Sequence, residues 1–162
     1  MTEVLDGTLL ARIDQLQASY AKALDALDME AWVANFSPTR GQYELTTAEN
    51  VKLGLPVGVM LDDCYERLQD RIKFVNEVWA QAVEHYQPRH LLYRSGCEQD
   101  GDGYRVTTNF SVFYTNAEGK SNLLVAGIYE DRVVEEKGEL KFAAKRAIMD
   151  TSVPPRYLIY PV

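Results

Sequence analysis

The sequence predicts an α+β fold: a single domain over residues 1–162, in which N-terminal helices pack on the concave face of a curved, mostly antiparallel sheet. Three observations predict it. Apolar residues recur at spacings of three and four in the first half of the chain. From residue 89 onward they alternate with a period of two. Glycine-bearing turn sequences separate the alternating runs, which makes successive strands hairpin neighbours. Helices first and an antiparallel meander after them is the α+β order.

The helical half reads as follows. Leu9, Leu10, Ile13, Leu16, Tyr20, Ala23, Leu24 and Leu27 give residues 8–27 a helical period, with Thr8 as the expected cap. A short helix is expected from Asp28 to Phe36, capped by Asp28, with Ala31, Trp32 and Phe36 facing inward and Ser37-Pro38 ending it. Residues 41–47 (GQYELTT) read as a strand. Gly54, Pro56 and Gly58 make residues 48–60 a loop with a short helical turn. Leu68, Ile72, Val75, Trp79 and Val83 predict a long helix over 61–84, its other side charged by Glu66, Arg67, Asp70, Arg71, Lys73 and Glu77.

In the second half, residues 89–98 begin the strands and GDG at 101–103 is a turn. Tyr104, Val106, Thr108, Phe110, Val112 and Tyr114 share one face of a strand over 104–115. AEG at 117–119 and EKGE at 136–139 are turns, and 121–135 and 140–150 are strands. In the last strand Leu140, Phe142, Ala144, Arg146 and Ile148 are expected on one face, and Lys141, Ala143, Lys145, Ala147 and Met149 on the other. Pro154-Pro155 precedes an apolar tail.

Composition limits function. The 162 residues suit one domain of ordinary size, large enough to build a core without disulfides or a structural metal. The net charge of −7 argues against nucleic acid and against an anionic membrane surface as partner. The first residues lack the basic and apolar regions of a signal peptide, and Cys64 and Cys97 form no CxxC, so a cytoplasmic protein with reduced thiols is expected. Ten tyrosines suit half-buried surfaces and subunit interfaces.

Much catalytic equipment is missing. His85 and His90 are the two histidines, so a two-histidine, one-carboxylate iron site would consume both. The phosphate-binding glycine motifs, HExxH and GxSxG do not occur. One constellation retains chemistry: a cone-shaped pocket holding His90 with Asp25 or Asp28, as in an isomerase or dehydratase that moves a proton. The competing reading has Asp28 as a helix cap and His90 bonded at a strand end or an interface. Tyr20, Trp32, Phe110 and Tyr129 either line a ligand pocket or form the core. Two charged features point to contacts between chains. They are Pro88-Arg89-His90, and Arg132 and Arg146 with Asp131 and Asp150.

A series of pieces then resembles a known family. They are Asp25-Ala26-Leu27-Asp28 with Trp32 and Phe36, Gly41-Gln42-Tyr43, Asn50 with Gly54-Leu55-Pro56, and Asp70-Arg71. Arg89-His90, Ala126-Gly127-Ile128-Tyr129-Glu130-Asp131, Asp150 and Ile159-Tyr160-Pro161-Val162 complete the series. Their order resembles the small (beta) subunits of aromatic-ring-hydroxylating, Rieske non-haem iron dioxygenases, nearest to the salicylate 5-hydroxylase and anthranilate types. The resemblance implies an NTF2-like cone and a non-catalytic structural role in an oxygenase acting on an aromatic acid. It implies no cofactor in this chain, with the Rieske 2Fe-2S cluster and mononuclear iron in the partner alpha subunit. It further implies an α3β3 hexamer containing a beta trimer, served by a reductase and often a ferredoxin. Arg71, Arg89, His90, Arg132 and Arg146 are the subunit-interface candidates.

Overall fold

The computed structural model describes residues 5–79 and 84–162. Helix α1 spans Gly7–Asp25 and α2 spans Met29–Val33. Strand β1 (Tyr43–Thr47), helix α3 (Ala48–Lys52), strand β2 (Met60–Asp62) and helix α4 (Tyr65–Lys73) follow. A π-helical segment, Phe74–Trp79, continues α4. The long strands are β3 (Gln87–Asp100), β4 (Gly103–Thr115), β5 (Ser121–Glu136) and β6 (Glu139–Met149). They form one six-stranded sheet in the order β2-β1-β6-β5-β4-β3, antiparallel throughout except for the parallel β1–β6 pair.

Besides α2, which ends at Val33 rather than Phe36 and leaves Ala31 exposed, three predicted elements differ in detail. Helix α1 starts at Gly7, because Leu10 N–H already bonds the Asp6 carbonyl, so Thr8 lies in the first turn and caps nothing. The predicted helix over 61–84 is divided. Its first residues belong to β2, where Met60 and Asp62 face inward and Leu61 outward while the segment pairs antiparallel with β1. Edge pairing there overrides the helical spacing that starts at Leu68. Residues 80–83 of that prediction lie outside the described residues.

The third difference concerns β6. Each antiparallel ladder among β3–β6 carries a bulge: between Arg94 and Gly96, between Val112 and Phe113, and between Arg132 and Val133. A bulge inserts one residue, bends its strand and increases the local twist. Together the three curl the sheet around α1. The last of them places Val133 opposite Phe142 but Arg132 opposite Ala144, so Ala143 is the inserted residue. Beyond it the faces exchange. Lys145, Ala147 and Met149 point inward and are buried, whereas Arg146 and Ile148 point outward.

Tyr20 of α1 occupies the middle of the concave side. Its ring lies 5.7 to 6.5 Å, centroid to centroid, from Trp32, Phe36, Tyr129 and Phe142. Phe110 stacks on Tyr129 at 4.2 Å and 8°. All these rings are buried. Tyr20, Trp32, Phe110 and Tyr129 are therefore core and do not line a ligand box. The tail returns into the same core: Tyr20 Oη donates to the Val162 carbonyl at 2.7 Å, and Val162 N–H donates to Tyr43 Oη at 3.0 Å. Gly127 is required where β5 crosses β6, since a Cβ there would lie 2.0 Å from the Ile148 carbonyl oxygen.

Candidate functional site

Arg132 and Arg146 with Asp131 and Asp150, read from the sequence as one charged feature, take separate partners. Asp131 turns inward and meets Lys145, whose Nζ lies 2.9 Å from Asp131 Oδ2 with neither side chain exposed. Gln17 completes the group: its Nε2 donates to Asp131 Oδ2 at 2.5 Å and to Thr108 Oγ1 at 3.2 Å, and its Oε1 accepts from Lys145 at 3.1 Å. The ammonium also sits over the rings of Tyr129, Phe142 and Tyr20 at 3.8, 4.3 and 4.5 Å. Burial pushes Lys145 down to about 8 and raises Asp131, each toward its neutral form. Burial also raises Tyr20 and Tyr129 well above the usual phenol value. Sequence reasoning missed Lys145 and Gln17, because the bulge that turns Lys145 inward has no marker among Phe142-Ala143-Ala144.

The histidine reading is resolved residue by residue. Asp28 is exposed and caps α2, accepting from Ala31 N–H at 2.9 Å. Asp25 is the acid that meets His90: Asp25 Oδ1 lies 2.7 Å from His90 Nδ1 and accepts from His90 N–H at 3.1 Å. Gln87 Nε2 adds a bond to the Asp25 carbonyl at 2.6 Å. Asp25 ends α1, where the helix dipole disfavours a carboxylate; the two His90 donors offset that cost and tie the start of β3 to the helix. The imidazole is 1% exposed, and its Nε2 is buried without a hydrogen-bond partner. His85 is exposed. Among the described residues no three His, Cys, Asp or Glu side chains are placed to hold a metal ion.

The five interface candidates divide into two groups. Arg71 grips Asp62 with two nitrogens, Nη2 at 2.9 Å from Oδ1 and Nε on Oδ2, and so joins α4 to β2. Arg132 joins β5 to the β3–β4 turn through the Asp100 carbonyl, the Asp100 carboxylate at 2.8 Å and Asp102 at 2.7 Å. With His90, these three use their donors inside the chain. Arg89 and Arg146 stand on the outer face of the sheet. Arg146 is half-buried there, with Glu44 at 2.9 Å and Glu130 at 3.8 Å.

That outer face carries apolar side chains with no partner inside the chain to explain them. Leu91 and Tyr93 of β3, Phe113 of β4, and Leu123 and Ile128 of β5 all point outward and are exposed, Tyr93 by 71% and Leu91 by 56%. In the register Arg89 opposes Phe113, Phe113 opposes Leu123 and Ile128 opposes Ile148, whereas Leu91 and Tyr93 oppose Ser111 and Asn109. Several exposed large apolar side chains grouped on one face in this way point to an interaction site.

Residues 19–156 match the ring hydroxylating beta subunit family. The chain belongs to that family. It is 34% identical over 151 residues to the small subunit of anthranilate 1,2-dioxygenase from Burkholderia cepacia, covering 93% of this chain and 92% of that protein. It is 28% identical over 153 residues to beta subunit 1 of the terminal oxygenase component of terephthalate 1,2-dioxygenase from Comamonas, covering 93% and 97%. A solved beta subunit of a proposed aromatic-ring-hydroxylating dioxygenase from Novosphingobium aromaticivorans superposes with a TM-score of 0.76 at 28% identity, covering 90% of this chain and 93% of that one. The cone is NTF2-like, as the beta-subunit resemblance implied. Small subunits of this kind pair with a large alpha subunit. Membership does not favour a free-standing isomerase or dehydratase, although Asp25 and His90 do meet. Among the described residues no helix is long and apolar enough to cross a membrane.

Proposed function

We propose that this beta subunit is a structural, non-catalytic component of a cytoplasmic oxygenase that hydroxylates an aromatic acid, and that its outer sheet face carries the assembly. The observation behind this reading is the apolar patch of Leu91, Tyr93, Phe113, Leu123 and Ile128, bordered by Arg89 and Arg146, on a chain of the beta-subunit family. Aromatic and arginine side chains on an exposed apolar face have the composition of an interface centre. In the proposed assembly three beta subunits form a trimer that holds three alpha subunits in register as an α3β3 hexamer. The Rieske cluster and mononuclear iron belong to the alpha subunits, and electrons arrive from a reductase, with or without a ferredoxin. The beta subunit supplies no cofactor ligand. Relatives named for anthranilate and terephthalate support an aromatic acid as substrate.

Co-expression with the alpha subunit, followed by native mass and metal analysis, tests the proposal. A stable hetero-oligomer is expected in which iron and sulfide follow the alpha subunit. A beta chain that binds stoichiometric iron alone, or that never associates with the alpha subunit, overturns it.

A further inference from the structure

We propose that the outer sheet face of one copy of this chain seats on the β2 edge of a second copy, with Arg89 of the first entering a depression beside Asp70 and Phe74 of the second. This rests on the reading that the outer face carries assembly, and it names the surface that the face meets.

The β2 edge is a second exposed apolar patch, separate from the outer face. Leu53, Leu55, Val57, Val59 and Leu61 alternate along the segment that leads into β2, and all five are exposed. Strand β2 is the last strand at its end of the sheet, so its far side pairs with no strand among the described residues. An open strand edge among exposed apolar side chains is a template for another chain.

Charge selects which surface covers it. On the outer face the carboxylates are already engaged: Glu44 and Glu130 hold Arg146, and Glu98 holds Arg105. Arg89 is exposed and bonds its neighbouring Pro88 carbonyl at 3.4 Å, but it enters no ion pair among the described residues. The β2 end has the opposite balance. Residues 61–79 carry five carboxylates and three cations, and two of those cations, Arg67 and Arg71, are held by Asp63 and Asp62. Leu61, Asp70 and Phe74 line a depression of about 540 Å³ together with Asp62, Arg67 and Arg71. Asp70 is exposed and enters no ion pair among the described residues, and the Phe74 ring beside it is exposed as well. A guanidinium entering this depression pairs with the Asp70 carboxylate and lies against the Phe74 ring.

Two unlike patches also set the symmetry. A surface that pairs with itself gives a two-fold dimer, whereas a surface that pairs with a different one joins copies head to tail and can close a ring. The outer patch centres on β3–β5 and the other lies at β2, toward opposite ends of one sheet. Each copy therefore gives one patch and receives the other, which is the contact a beta trimer needs. The outer face pairing with itself would offer Arg89 no free carboxylate and would leave the β2 edge uncovered.

Sedimentation equilibrium of the full chain alone tests the pairing. The wild type is expected to associate beyond a dimer. Arg89→Glu and Asp70→Arg, both at exposed positions, are each expected to raise the dissociation constant by about tenfold while keeping the wild-type circular dichroism spectrum. The double variant Arg89→Glu with Asp70→Arg reverses the pair and is expected to return to within about threefold of the wild type. Val57→Glu, on the edge patch away from both charges, is expected to weaken association as well. A wild-type chain that stays monomeric, a double variant no tighter than either single one, or undiminished association of a folded Val57→Glu chain overturns the proposal. Arg89→Glu weakening association without rescue by Asp70→Arg also overturns it, while leaving the outer face its role. Association with the alpha subunit is read separately by co-expression, so failure of this pairing is distinct from failure of the subunit reading.

Discussion

On the inner face of the sheet, Tyr129, Phe142, Phe110 and Val106 pack against α1 and leave no large apolar side chain exposed; on the outer face of the same strands, Leu91, Tyr93, Phe113, Leu123 and Ile128 face outward. An isolated antiparallel sheet with one solvated side places polar residues there. This sheet does so around Glu44, Glu130 and Arg146 and along β4 at Arg105, Thr107, Asn109 and Ser111, but not at Leu91, Tyr93, Phe113, Leu123 and Ile128. The difference teaches that alternation in a strand reports two surfaces with different requirements. The inner one is satisfied within the chain. The outer one has the composition of a surface satisfied by another chain.

The largest effect expected lies on the inner face. Lys145→Ala leaves Asp131 buried with its charge uncompensated and is expected to cost about 3–5 kcal/mol. The double replacement Lys145→Met with Asp131→Leu removes both desolvation penalties and is expected to be far milder, from neutral to about 1–4 kcal/mol stabilising. Urea denaturation of the two variants measures the gap. If both lose the same stability, the pair is not coupled as its 2.9 Å distance requires.

The outer face predicts the reverse division between folding and assembly. Tyr93→Ala and Leu91→Ala are expected to leave the stability of the isolated chain within about 0.5 kcal/mol, because both side chains are exposed. Each is expected to weaken association between chains, by about 2 kcal/mol where it falls at an energetic centre. Sedimentation of the variants, alone and with the alpha subunit, provides the readout. Unchanged association for both would assign the face no role in assembly.

A pH titration sharpens the inner-face comparison. The folded chain releases the Lys145 proton near 8, whereas the unfolded chain holds it to 10.5. Between those values the unfolded state binds more protons, so the Lys145 contribution makes stability rise with pH. The slope is at most about 1.4 kcal/mol per pH unit. The buried tyrosines act in the opposite sense once unfolded phenols ionise near 10, because burial raises Tyr20 and Tyr129 in the folded state. Stability of the wild type relative to the double variant is therefore expected to climb from pH 8 to pH 10. A flat difference over that window would show that Lys145 is not desolvated.

What was legible in the sequence follows from how local each determinant is. The period of α1, the alternation of β4 and the turn residues at 101–103, 117–119 and 136–139 are encoded within a few residues, and those elements form where expected. Asp28 was legible as a cap for the same reason. Strand β2 was not, since three residues of an edge strand depend on β1, fifteen or more positions earlier. The burial of Lys145 was not, because it depends on a bulge whose inserted residue is an ordinary alanine opposite another strand. The meeting of Asp25 with His90, 65 positions apart, was legible only as one of two options. The sequence offered two acids at the end of α1, and the packing of α1 on β3 chose between them.

Those two acids give the smallest and cleanest contrast. Asp25→Ala removes the acceptor of both His90 donors in a part-buried setting and is expected to cost about 1–3 kcal/mol, loosening the start of β3 from α1. Asp28→Ala removes one exposed capping bond to Ala31 N–H and is expected to cost about 1 kcal/mol, with the loss confined to α2. Amide hydrogen exchange separates the two sites more sharply than a global midpoint does. Asp25→Ala is expected to speed exchange at His90 and its β3 neighbours, and Asp28→Ala at Ala31 and the first turn of α2. If Asp28→Ala instead released β3, the acid that holds the strand would be the exposed one, and the assignment of His90 to Asp25 would fail.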